Sequence, residues 1–192
     1  MRKIFFDIET TSAEGKNGRF DPSHLDLALV CIYDSETERY DSFVEHELPK
    51  LWPILERTDL LVGYNCDHFD IPLLNRYYPG DLTRIKSIDL LREIKNSIGK
   101  RLKLDSVAQA TLGKKKSGSG LDAVRWWQEG DVEKVRSYCL DDVRLTKELY
   151  EYARMHGELR YNDYGDIRTI PLNTLEWEKE EEVQSMTHTL PF

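Results

Sequence analysis

Residues 59–64 read Asp-Leu-Leu-Val-Gly-Tyr, and this short, nearly continuous apolar run restricts the fold more than any other feature. A run of this kind marks a strand buried on both faces, so its sheet must be covered on both sides. The neighbouring segments supply the cover. Residues 3–9 predict an apolar strand that turns acidic at its end. Residues 27–34 and 39–44 predict two strands around Ser35-Glu36-Thr37, a hairpin. Beyond them the pattern alternates. A helix is expected over 48–57 with Pro49 in its first turn, then the strand at 59–64, a helix at 71–77 and a short strand at 85–88. Helices follow at 89–98, 104–112 and 121–128. Gly130-Asp131 ends one helix and starts another that runs to about Met155, with Asp131 as N-cap. Residues 158–172 predict a C-terminal hairpin turning at Tyr164-Gly165-Asp166. A hairpin followed by strand–helix alternation means an α/β domain with a mixed sheet. The expected organisation is a body over residues 1–157, a hairpin extension over 158–173, and an acidic tail over 174–192 that is mobile or loosely docked.

At 192 residues the chain suits one domain with a real core. Its 40% apolar and 32% charged residues are ordinary for a globular protein, and no apolar stretch is long enough to span a membrane. The opening Met-Arg-Lys-Ile-Phe-Phe-Asp lacks the pattern of a signal peptide. Cys31, Cys66 and Cys139 are odd in number and widely spaced, which fits neither a disulfide framework nor a zinc site. A reduced, cytoplasmic protein is the expectation. The net charge of −8 argues against a polyanionic partner, but between residues 84 and 116 ten Lys/Arg face three acids. Phosphate contacts are local and screened over a Debye length, so such a segment can serve one; taken alone, it reads better as a solvated helix face.

Three places carry chemistry. In Phe5-Phe6-Asp7-Ile8-Glu9-Thr10 the two acids lie two apart on a strand and share a face. Paired carboxylates repel unless a cation lies between them, and hard oxygen ligands suit Mg²⁺ or Mn²⁺. The same pair could also be a strand end entering water. In residues 63–74, Gly-Tyr-Asn-Cys-Asp-His-Phe-Asp-Ile-Pro-Leu-Leu, Asp70 follows a buried strand and precedes a helix. Ligands bind there in open α/β sheets, while an ordinary helix cap at Asp70 is compatible too. Asn65 is placed to brace this loop and Phe69 to anchor it. In Tyr138-Cys139-Leu140-Asp141-Asp142, a spacing of four puts Tyr138 and Asp142 on one helical face. Taken alone, that pair reads as a core tyrosine beside exposed acids.

Together the ordered motifs D-x-E, N-x-x-x-F-D and Y-x-x-x-D resemble the DEDDy 3′–5′ exonucleases of the ribonuclease H-like superfamily. The resemblance spans roughly residues 4–150 and is closest to the proofreading domains of family B DNA polymerases. The strings Phe-Asp-Ile-Glu-Thr and Tyr-Cys-x-x-Asp look familiar from that family, as does Leu104-Asp105-Ser106-Val107-Ala108 followed by Leu112-Gly113 and lysine. Ser137 stands where the histidine-type branch would carry its histidine. The resemblance implies a ribonuclease H-like fold with a mixed sheet of about five strands, and two divalent ions, Mg²⁺ or Mn²⁺. It implies Asp7, Glu9, Asp70 and Asp142 as ligands and Tyr138 as the residue orienting the attacking water. Asp141 adjoins Asp142, and the spacing from Tyr138 favours Asp142.

Expected nucleic-acid contacts are Thr10, Asn65, Phe69 and the loop lysines Lys114, Lys115 and Lys116, with DNA favoured over RNA. Trp126 and Trp127 are read as packing, and the five histidines have no ligand spacing. The chain begins at the first motif, and no polymerase domain is expected after the last. A nuclease subunit or binding module within a larger complex, recruited through the acidic tail, is therefore the alternative.

Overall fold

The structure is a computed structural model that describes residues 1–13, 24–115 and 118–179. Its centre is a five-stranded sheet in the order β3-β2-β1-β4-β5. The strands are β1 (Lys3–Thr10), β2 (Leu27–Asp34), β3 (Arg39–Val44), β4 (Leu60–Gly63) and β5 (Lys86–Asp89). β1 pairs antiparallel with β2 and β2 with β3, while β4 and β5 run parallel to β1. The mixed α/β sheet matches the expectation, and the hairpin strands fall on the predicted residues.

Strand alternation decides what each face holds. Ile4, Phe6 and Ile8 of β1 join Val30, Ile32 and Leu61 in one core with Leu48, Leu51 and Leu55 of α1 (Leu48–Leu55). Phe5 joins Leu29, Cys31, Leu60 and Val62 in the other core, beneath α6 (Val132–His156). The sheet is thus buried on both sides, as the run at residues 59–64 requires. Asp7 and Glu9 share the face of Phe5 and so point towards α6.

α6 is 25 residues long because its buried positions recur every three or four residues: Val135, Tyr138, Cys139, Asp142, Thr146, Leu149 and Ala153. Asp131 caps it by accepting from the Lys134 N–H, and Gly157 closes it in the left-handed region at φ 68°. α3 (Leu90–Ile98), α4 (Leu104–Leu112) and α5 (Gly120–Gln128) complete that layer. α1 and α2 (Asp70–Leu74) end two or three residues earlier than predicted, and both close in turns. β6 (Glu158–Asp163) and β7 (Asp166–Pro171) form the expected hairpin, turning through Tyr164 and Gly165. Both turn residues have positive φ, 55° and 104°, the geometry of a tight two-residue hairpin loop.

The tail departs from expectation. A 3₁₀ turn over Thr174–Glu176 leads to Trp177, which is only 2% exposed. Its ring stacks on Tyr150 at 5.2 Å, and its Nε1 donates to Glu93. The Glu178 carboxylate accepts from Lys3 Nζ, the Tyr150 hydroxyl and Arg154. Residues 174–179 are therefore held against the body, because one buried tryptophan outweighs the local excess of charge. The rest of the expected tail, 180–192, lies outside the described residues. Trp177→Ala should lower stability by about 3 kcal/mol or more; a midpoint in urea matching wild type would show that the segment rests on the surface without holding it.

A candidate active site: the carboxylate cleft

β4 ends at Gly63, just past the pairing of Val62 with Phe5, while the parallel β1 runs on to Thr10, and the functional side chains gather around this overhang. Asp7 and Glu9 come from β1, Asp70 from the start of α2, and Tyr138 and Asp142 from α6. All five line one cleft of about 510 Å³, together with Thr10, Asn65 and Phe69. Asp70 and Asp142 are each only 3% exposed, although both are acids.

The loop between β4 and α2 is shaped for this. Gly63 lets the Cys66 side chain close over it: a Cβ at position 63 would lie 2.4 Å from that of Cys66. Asn65 adopts a left-handed φ of 69°, strained for a non-glycine residue. Its N–H donates to the Asp89 carboxylate at 2.7 Å, and its Oδ1 accepts from Arg101 at 2.9 Å. Asp89 also accepts from the backbone N–H groups of Asp67, Leu91 and Arg92. One buried aspartate thus caps α3 and fixes the loop that delivers Asp70. Burial raises the Asp89 pKa even so, against the lowering effect of these donors. Phe69 occupies the N-cap position of α2 and packs against the core of that face. The N-cap reading of Asp70 is replaced: Phe69 holds the N-cap position and Asp70 is the first helical residue.

The electrostatics follow from crowding. Burial, and then the charge of Asp7, push the Asp70 carboxyl well above the usual range. It accepts from its own N–H and that of Ile8, while its Oδ1 is buried without a hydrogen bond. Tyr138 hydrogen-bonds Asp142, and its phenol is pushed far above the ordinary value by burial and then by Asp142, Glu9 and Asp7. Cys139, one residue on, places its Sγ 3.6 Å from Asp7 Oδ2 and 3.4 Å from the Asp7 carbonyl oxygen. Oxygen or sulfur atoms of Asp7, Glu9 and Cys139 lie within 4.8 Å of one another. Acids in such a group, next to an acid oxygen lacking any donor, fit a hard divalent cation. A second group, Cys66, Asp67 and Asp89, is already satisfied by backbone N–H groups, Ser87 and Arg92.

The expected nucleic-acid contacts separate. Thr10 is buried and donates to the Ser12 carbonyl. Lys115 borders the lobe adjoining the cleft. Lys114 does not: its ammonium is held by both oxygens of Glu148, at 2.6 and 2.7 Å. Lys114 and Lys115, adjacent in the chain, thus have different surroundings. Lys116 lies outside the described residues. Trp126 is buried edge-on against Tyr138, as packing predicts. Sequence reasoning passed over Asp89, Arg101 and Cys139. An acid just before a predicted helix could have pointed to Asp89 as a cap; Arg101 is signalled only as part of the basic segment and Cys139 only as part of Tyr-Cys-x-x-Asp.

An α/β domain whose parallel strands deliver buried acids to one cleft, opposite a long helix bearing a tyrosine and a further acid, is a nuclease-like architecture in class. A family model for the RNase_H superfamily matches residues 4–154, and the chain belongs to that superfamily. Among curated proteins, a DNA polymerase of Thermococcus aggregans is 27% identical over 167 residues, covering 71% of this chain and 9% of that protein. A DNA polymerase of Thermococcus litoralis is 26% identical over 167 residues, covering 71% and 10%. The chain thus spans about a tenth of these relatives' length. Among solved structures, the family B DNA polymerase of the hyperthermophilic archaeon Pyrobaculum calidifontis aligns with a TM-score of 0.62 at 22% identity. That match covers 80% of this chain and 24% of that one, and it is a likeness of fold. Among the described residues no helix is long and apolar enough to cross a membrane.

Proposed function

We propose that this chain is a metal-dependent 3′–5′ exonuclease of the DEDDy type, acting on phosphodiester bonds at free 3′ ends, with single-stranded DNA the favoured substrate. The observation that carries the reading is the convergence of Asp7, Glu9, Asp70, Tyr138 and Asp142 on one cleft from three separate parts of the chain. Asp7, Glu9, Asp142 and Asp70 would hold the ions. Two divalent ions, Mg²⁺ or Mn²⁺, supply an activated water and stabilise the departing oxygen when bound.

The residues of the chain do the rest. Tyr138 would orient the nucleophilic water as a hydrogen-bond donor and not deprotonate it, since an ordinary phenol pKa of about 10 keeps it protonated at neutral pH. Phe69 and Asn65 border the space for the terminal nucleotide. Tyr138→Phe should slow the chemical step on the order of 10²-fold while leaving binding in place. If the hydroxyl acts as a donor and not as a base, the limbs of the variant's pH–rate profile should match wild type. A missing alkaline limb in the variant would make Tyr138 a base.

The test of the whole reading is direct. Purified protein is incubated with 3′- and 5′-labelled DNA and RNA oligonucleotides in Mn²⁺, Mg²⁺ or EDTA, beside a circular single strand. Mononucleotide release from 3′ ends in metal alone, with circles intact, supports the reading. Nicked circles or activity in EDTA sink it.

A further inference from the structure

Resting on the exonuclease reading, we propose that Arg101, Lys103 and Lys115 form a wall that binds the backbone phosphates of the strand upstream of its 3′-terminal nucleotide. The site would then recognise the end of a polynucleotide chain rather than any nucleotide ester.

The cleft has a second lobe, of about 630 Å³, that shares Asp7, Tyr64, Asn65 and Tyr138 with the carboxylate lobe. The two lobes are therefore neighbours, with Asp7 on the lining of both. Arg101, Lys103 and Lys115 all border this second lobe. Two neighbouring cations among the described residues are matched. Lys100, beside Arg101, is paired with Asp163, and Lys114, beside Lys115, with Glu148. Among the described residues none of the three lobe-facing cations has a carboxylate partner; Arg101 bonds only to the Asn65 amide oxygen. Asp105 also borders the lobe, but the three cations outnumber it. Three like charges left unmatched around one space, in a chain of net charge −8, favour an anion there.

Two further features suit a strand. Leu91, Leu102 and Leu104 give the lobe an apolar side against which sugars or bases can lie. The Tyr64 hydroxyl donates to the Leu102 carbonyl at 2.9 Å, which ties the segment bearing Arg101 to the end of β4. Arg101 in turn holds the strained Asn65, so this wall and the loop before Asp70 form one unit. A phosphate on Arg101 would therefore sit in fixed relation to the acids.

The test uses the full chain and two substrates. One is a single-stranded oligonucleotide; the other is the p-nitrophenyl ester of thymidine 5′-monophosphate, which has no upstream phosphate. Oligonucleotide binding is also followed by fluorescence anisotropy in EDTA across a salt series. For Arg101→Ala/Lys103→Ala/Lys115→Ala, the log–log salt slope should fall by about 0.7 for each phosphate no longer bound, up to roughly 2. Its oligonucleotide kcat/KM should drop at least about tenfold more than its ester kcat/KM. Lys115→Ala alone should lower the slope, and Lys114→Ala should not. The charge-preserving Lys103→Arg/Lys115→Arg should keep it at the wild-type value. Equal losses on both substrates would mean that the cations act on the acids themselves, and an unchanged slope would mean that they are solvated; either overturns the proposal. A Lys114 effect equal to that of Lys115 would show diffuse attraction and overturn it as well. If wild type hydrolyses neither substrate, the exonuclease reading fails, and the salt slopes still judge the wall.

Discussion

Asp142→Asn should reduce turnover on the order of 10³-fold or more, while Asp141→Asn stays within a few-fold of wild type. The two residues are neighbours, yet the helix sends them to different surroundings. Asp142 is buried in the cleft wall and bonded by Tyr138. Asp141 is paired with Arg144 one turn along, at 3.0 Å, an exposed arrangement worth little to stability. Losing a metal-binding carboxylate removes several kcal/mol of stabilisation from the reaction, and each 1.36 kcal/mol is a factor of about ten. Single-turnover rates in Mn²⁺ measure it. Full activity in Asp142→Asn with loss in Asp141→Asn would reverse the assignment.

Asp70→Asn should show opposite effects on activity and on stability. In metal, turnover collapses as for Asp142. In chelator, the variant should melt higher than wild type. Asp70 Oδ1 is buried without a hydrogen bond and the charge of Asp7 disfavours the Asp70 carboxylate, so removing that carboxylate recovers on the order of 1–3 kcal/mol. For a domain of this size that is roughly 2–10 °C. The sign can be checked with pH. An acid whose folded pKa is raised costs stability above that pKa and returns it as pH falls through it towards the unfolded value near 3.9. The advantage of Asp70→Asn in chelator should therefore be largest near neutral pH and shrink on acidification. Mn²⁺ should raise the melting temperature of wild type and leave the variant nearly unmoved. A variant that melts lower than wild type in chelator would mean that Asp70 is a structural acid.

Much of this site could be read from residue order because its geometry is local. The alternation of Ile4, Phe6 and Ile8 with Phe5, Asp7 and Glu9 fixes which face carries the acids. The four-residue step from Tyr138 to Asp142 fixes the partner face on α6. What could not be read depends on contacts between distant segments. Trp177 and Glu178 are held by Tyr150, Arg154 and Lys3, the last 175 residues away, and a run of acids gives no hint of it. Lys114 and Lys115 are equivalent in sequence, and only Glu148 on α6 tells them apart. Asp89 looks like an ordinary cap until Asn65 and Asp67 are seen donating to it.

The parallel strands give the domain a front and a back. Asp7, Glu9 and Asp70 gather at the front, on the last residues of β1 and beyond the end of β4. Lys179 lies at the back, where its carbonyl accepts from Lys86 at the beginning of β5. A cysteine introduced at Lys179 is therefore a handle for oriented attachment: coupled to a bead or a slide through it, the domain would turn its open cleft outward to a strand in solution.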